Sequence, residues 1–261
     1  MKAWLALVKK EFRIGLPIML LAVVLFLVGL VIVTATTYKF GYAMDAVGII
    51  GLAWGGGHFF FMAIYMLYSL GVERKRLHLW LHNPMHASGL LAAKLVTGTV
   101  YMIISLLIVS IAAYVGGLNF VPFSDGTWFK VGMIAFVHVV SLSIDFSIYV
   151  ILAYIVFLLL VRYMPTFLSG AAVFIGWWLF AYLYFGLFSQ SKFYAAITEW
   201  GKIDLGFIAN SLQFDISTKE ALINMQGEQL TVYAGYYIIE LIIILIIYFI
   251  ASWLLDKKVE V

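Results

Sequence analysis

Two carboxylates stand inside long apolar runs: Asp145 within 129–161 and Glu240 within 232–255. A charged carboxylate at the centre of a bilayer costs about 2.5–3.5 kcal/mol on insertion scales, so each needs water, a proton or a partner. No lysine or arginine lies at comparable depth, so an ion pair within one copy of the chain is not expected. His138, Ser141, Asp145 and Tyr149 share one helical stripe, which places Ser141 and Tyr149 within hydrogen-bonding reach of Asp145. Seven residues, about 10 Å of helix, keep His138 from touching Asp145 directly. Two readings of Asp145 and Glu240 stay open: a polar lining for a translocation route or proton site, or protonated carboxyls bonded between packed helices.

A second chemistry-bearing segment, residues 73–94, lies between the apolar runs 46–70 and 90–118. It reads Glu73-Arg74-Lys75-Arg76-Leu77-His78-Leu79-Trp80-Leu81-His82-Asn83-Pro84, then Lys94 at the start of the next run. A bare turn needs only a few residues. This stretch predicts a short amphipathic helix with Leu77, Trp80, Leu81 and Pro84 along one side, lying on a membrane surface. Its alternatives are a helix resting on anionic lipid and a lever for a partner protein. His78, His82 and His86 have helical spacing, but Pro84 interrupts them and no carboxylate completes a metal-ligand set.

The elements that position these residues follow from hydropathy. The chain of 261 residues is 65% hydrophobic and 11% charged, with too little polar surface for a soluble domain. Six runs are long enough to span a bilayer as helices: 16–36, 46–70, 90–118, 129–161, 167–188 and 232–255. Continuous apolar runs without strict alternation exclude a β-barrel. The predicted fold is therefore an all-α integral membrane protein forming a single domain over 1–261. Ahead of the first span, Leu5, Val8 and Phe12 share one face and Lys2, Lys9 and Arg13 a neighbouring one, which predicts an interfacial N-terminal helix. The fourth run would reach about 50 Å and must tilt, kink or project. Residues 189–231 form the one sizeable extramembrane segment, expected as short helices on the outer surface.

Eleven of the 16 lysines and arginines fall on the side of the N-terminus, which predicts both termini in the cytoplasm of a cell-membrane protein. The net charge of +3 is thus an orientation signal rather than a nucleic-acid footprint. The absence of cysteine excludes disulfides and thiol chemistry. Gly51 and Gly55 form a GxxxG in the second span, suited equally to packing within one copy or between two. His58 follows this glycine-rich stretch and can hydrogen-bond a neighbour. No P-loop, HExxH or GxSxG motif is present, so nothing marks the chain itself as an enzyme.

In order and spacing the chain resembles the permease subunit of ABC-2-type exporters. The matching residues are Glu73 after the second span, the leucine-rich run Leu77 to Leu81 with Trp80, the closing Pro84, and Lys94 in the next span. Where the family often has Gly-Thr before the leucines, this chain has Arg76. The resemblance implies an interfacial N-terminal helix, six spans and a cytosolic coupling helix. It implies two permease copies with a pathway along their interface. It also implies two separate ABC ATPase subunits, which carry the ATP and magnesium while this chain binds no cofactor. Glu73, Arg74, Arg76, Leu77, Trp80, Leu81 and Pro84 would then be the ATPase-coupling residues, with Glu73 setting the turn near a helix N-terminus. His138, Ser141, Asp145, Tyr149 and Glu240 would lie along the route of an amphipathic, peptide-like cargo. The rival from a different class is a proton-coupled secondary transporter using Asp145 and Glu240. A third possibility is a membrane scaffold that transports nothing.

Overall fold

The computed structural model describes residues 2–74, 85–118, 125–204 and 231–257. Among them, six helical segments are long and apolar enough to cross a membrane, as befits an all-α multi-pass membrane protein. Residues near both ends of the described chain meet at one end of the bundle: Trp4 bonds to Gly89 and Asp256 to Ala87.

The first helix, α1 (Lys2–Tyr38), is continuous over 37 residues. The separate interfacial helix expected from the basic start is therefore not an independent element. Leu7, Glu11 and Gly15 of α1 are buried, and Trp4, Val8 and Phe12 pack against the core, while Leu5 is exposed. The amphipathic face that reads as lipid-seeking thus docks on protein. Further along, Leu20, Val24, Leu27, Val31 and Ile32 are exposed, as befits a helix flanked by hydrocarbon.

The second span runs through Ala43–Arg74, beyond the apolar run at both ends. It comprises α2 (Ala43–Gly57), a 3-10 turn (His58–Phe60) and α3 (Phe61–Arg74). A mid-span change of winding frees backbone groups that hydrocarbon cannot satisfy, so side chains must take them up. Ser143 does this from another helix, donating to the His58 carbonyl at 3.1 Å and accepting from the Met62 amide at 3.3 Å. The His58 Nδ1–H donates to the Trp54 carbonyl at 2.8 Å. That leaves Nε2 as the acceptor for the Ser105 hydroxyl at 3.0 Å.

The third span, α4 (Ala87–Gly117), packs closely on α2. The small residues explain the approach. A Cβ at Gly51 would lie 2.5 Å from the Ala113 backbone nitrogen, and one at Gly116 would overlap the backbone of Gly48. These α2 glycines therefore serve packing within one copy of the chain. Gly55 is looser, with Val109 Cγ1 at 3.9 Å from a Cβ placed there. Tyr65 of α3 is fully buried, wedged between Gly15 of α1 and Gly98 of α4.

The fourth span lies in α5 (Asp125–Leu160), an unbroken helix of 36 residues, followed by a turn into α6 (Thr166–Ala181). The fifth span continues from α6 into a π-helical stretch, Tyr182–Phe188. It lies at the periphery, with Ser169 the only buried residue of α6. Ser191 then caps the short helix α7 (Lys192–Thr198), accepting from the Tyr194 amide at 3.1 Å. Two three-residue strands, Lys202–Asp204 and Thr231–Tyr233, pair antiparallel and lead into the last helix, α8 (Ala234–Lys257). The segment expected as short helices thus holds one short helix and a β-ribbon among its described residues. α8 runs parallel to α5 and packs along it.

Candidate functional site

Two polar centres lie at opposite ends of the bundle. Sixteen residues of α8, about 24 Å of helix, separate Glu240 at one from Asp256 at the other.

The end that holds both termini contains a buried ion-pair network. Lys94 of α4 is fully buried, and its Nζ donates to both Glu11 carboxylate oxygens at 2.9 Å and to Ser69 Oγ at 2.7 Å. Ser69 in turn donates to Glu11 Oε2 at 3.0 Å. Glu73 Oε1 lies 3.5 Å from Lys94 Nζ and accepts from Lys10 Nζ at 2.7 Å. Two carboxylates thus meet two ammonium groups. The three donors of Lys94 all find acceptors, which a charge removed from water requires.

The same end fixes both flanks of residues 75–84. On the α3 side, Glu73 is tied to α1 and α4, the Arg74 guanidinium lies 5.2 Å from the centre of the Phe157 ring of α5, and Tyr154 donates to the Leu70 carbonyl at 3.4 Å. On the α4 side, the Ala87 amide donates to Asp256 Oδ1 at 2.9 Å, so a carboxylate from α8 caps the helix N-terminus. Tyr248 of α8 donates to the Ser88 carbonyl, and Trp4 of α1 donates to the Gly89 carbonyl at 3.2 Å.

Glu73 stands near the described end of α3 and is held by ion pairs; the coupling helix whose start it was expected to set lies outside the described residues. Arg74 stacks on an aromatic ring rather than standing free. Arg76, Leu77, Trp80, Leu81 and Pro84, with His78 and His82, lie outside the described residues. Glu11 is the residue that sequence reading missed. It is the one acidic residue in a strongly basic start, at helical spacing from Leu7 and Gly15, and that was the available signal.

At the opposite end, His138, Asp145 and Tyr149 of the α5 stripe lie near α8. His138 Nδ1 and the Tyr237 hydroxyl are 3.0 Å apart. Asp145 and Tyr149 lie close enough to Glu240 to interact electrostatically with it. Ser141 is half-buried on the same helix. Glu240 is buried, and its Oε1 accepts from Tyr184 of the π-helical stretch at 2.7 Å and from Tyr194 of α7 at 2.8 Å. Burial first, then the bond to Glu240, holds the Tyr194 phenol above its ordinary range, so it stays a donor at neutral pH. Among the described residues, neither Glu240 nor Asp145 has a lysine or arginine ion-pair partner. Neither Ser141 nor Tyr149 makes the hydrogen bond to Asp145 that the stripe suggested; their donors do not reach it with ordinary geometry. Tyr184 and Tyr194 were missed as partners because they lie 56 and 46 residues from Glu240 in the chain.

No protein-family model, no curated protein and no solved structure matches this chain.

Proposed function

We propose that the chain is the membrane-spanning permease subunit of an ATP-driven exporter of the ABC-2 type, working with separate ATPase subunits and a second permease copy. One observation carries this reading: both flanks of residues 75–84 are anchored by buried or aligned polar contacts to α1, α4, α5 and α8. A surface segment that only closed a turn needs no such anchoring. A segment that receives force needs it, because a push on a loosely held loop moves the loop alone.

The mechanism follows from that arrangement. ATP-driven closure of the ATPases, gripping Leu77, Trp80 and Leu81, displaces the ends of α3 and α4. The Glu11–Lys94–Glu73–Lys10 network carries the displacement into α1 as one body, because separating a buried pair strands a charge. Asp256 and Tyr248 carry it into α8, whose far end holds Glu240. The two polar centres are thus joined by one helix. Amphipathic cargo would pass at the side of the bundle where the fifth span is least buried, against a second copy of the chain.

The test is the pair Trp80→Ala and Leu81→Ala in one variant, assayed for membrane insertion and for ATP-driven export with the partner ATPase. Insertion is expected to persist and export to fall at least ten-fold. ATP-driven export at the parent rate would remove the coupling assignment.

The isolated carboxylates favour a second reading, proton coupling through Asp145 and Glu240 without any ATPase. Under that reading, uptake into liposomes depends on a proton gradient and not on ATP.

A further inference from the structure

The Glu240 centre continues into an apolar groove. Over about 260 Å³ the groove is lined by Tyr149, Val156 and Leu160 of α5, Gly176 and Phe180 of α6, and Ile247 of α8. The three helices present matching ladders. On α5, Asp145 stands one turn beyond Tyr149, the groove's upper end. On the fifth span, Tyr184 stands one turn beyond Phe180 and stacks on it at 5.6 Å between ring centres. On α8, Glu240 stands two turns beyond Ile247. From Tyr149 to Leu160 the groove follows α5 for about 16 Å. Asp145 and Glu240 thus stand beyond the Tyr149 end of an apolar slot, just outside its lining, and no lysine or arginine of the described residues neutralises them.

A third observation concerns Tyr149. Its ring lines the groove and packs on Trp177 and Phe180, with ring centres 6.0 and 5.4 Å away. Its residue is 7% exposed, yet its hydroxyl, which faces Tyr184, makes no hydrogen bond of ordinary geometry. Tyr149 therefore presents a buried aromatic face, with its hydroxyl turned to Tyr184, at the carboxylate end of the slot.

From these features we infer that α5, the fifth span and α8 form a binding site for a lipophilic cation, an amine or quaternary ammonium head on an apolar chain. The head sits against Glu240 and Asp145 among the Tyr149, Tyr184 and Phe180 rings, and the chain lies in the groove. Two carboxyl groups supply the charge, and aromatic faces favour a desolvated cation. A neutral or anionic amphipath gains nothing from the carboxyls and is disfavoured when they are ionised. The inference rests on the transport reading for its purpose, since it names the class of cargo. Binding itself needs neither ATP nor a partner, so the two fail separately.

The probe is radiolabelled dodecyltrimethylammonium, bound to the full chain in phosphatidylcholine nanodiscs, with empty discs subtracted. Saturable binding is expected, weakened at least ten-fold in Asp145→Asn and in Glu240→Gln. The glutamine variant keeps an oxygen for Tyr184 and Tyr194. Asp145 takes none of those bonds, so Asp145→Asn reads charge without disturbing them. A Cβ at Gly176 meets nothing within 4 Å, so Gly176→Leu fills the groove without a backbone clash. That variant should lose the dodecyl probe while binding radiolabelled tetraethylammonium as the parent does. Equal binding by the parent and both carboxyl variants overturns the proposal. So does equal affinity for dodecyl phosphate, which marks a lipid-filled cleft, or the absence of saturable binding above empty discs.

Discussion

Lys94 is fully buried and donates to Glu11 and Ser69, and its value to the fold depends on these partners. Removing one partner of a buried pair costs about 3–5 kcal/mol, because the other charge is stranded. Lys94→Met is therefore expected to lower stability by about that amount, read as the midpoint of thermal aggregation in detergent. Removing both charges, Glu11→Leu with Lys94→Met, should recover most of the loss, since two apolar groups of similar size need no pairing. A double variant as unstable as the single one would mean that packing around Lys94, not the ion pair, holds this end together. Lys94 was legible as a residue of interest from its place after Pro84. Its partner was not, because Glu11 lies 83 residues away and nothing local announces a pair. The Asp145 stripe was legible for the opposite reason: its members share one helix, and helical spacing fixes their common face. The tyrosines on Glu240 come from two other elements, one of them π-helical, a winding that no sequence period specifies.

Helix existence was readable from hydropathy, and helix ends were not. The second span stays helical past its apolar run through Arg74, where Glu73 is neutralised by lysines from other helices. The basic start of α1 reads as interfacial because a hydrophobic face beside a charged one suits a lipid surface and a protein surface alike. The α2–α4 contact shows where the glycines matter. A methyl at Gly51 or Gly116 meets neighbouring backbone, which cannot move aside as a side chain does. Each alanine substitution is expected to cost about 1–3 kcal/mol or more. Gly56, on the same helix, meets nothing within 4 Å, and Gly56→Ala should leave stability unchanged or raise it by about 0.5–1 kcal/mol. Thermal midpoints of the three single variants check the contrast. Equal midpoints for Gly51→Ala and Gly56→Ala would contradict this account of the helix contact.

At the scale of the molecule, the described bundle has a dense side and a loose one. α1, α3, α4 and α5 share the buried core with the last turns of α8, while the fifth span exposes most of its aromatic surface. The termini-bearing end is knit by charge, and the opposite end by phenols on a single carboxylate. Under the proposed permease reading, a push at residues 75–84 would move the charge-knit side as a unit and be taken up first at the loose edge. The most direct measurement is gentle purification of the chain from its native membrane, with mass spectrometry of the co-purifying proteins and an ATPase assay of the complex. A stoichiometric P-loop ATPase is expected, its hydrolysis uncoupled from export when Trp80 and Leu81 are replaced by alanine. Purification with no ATPase, together with proton-dependent uptake in liposomes, would contradict it and assign the transport work to Asp145 and Glu240 alone.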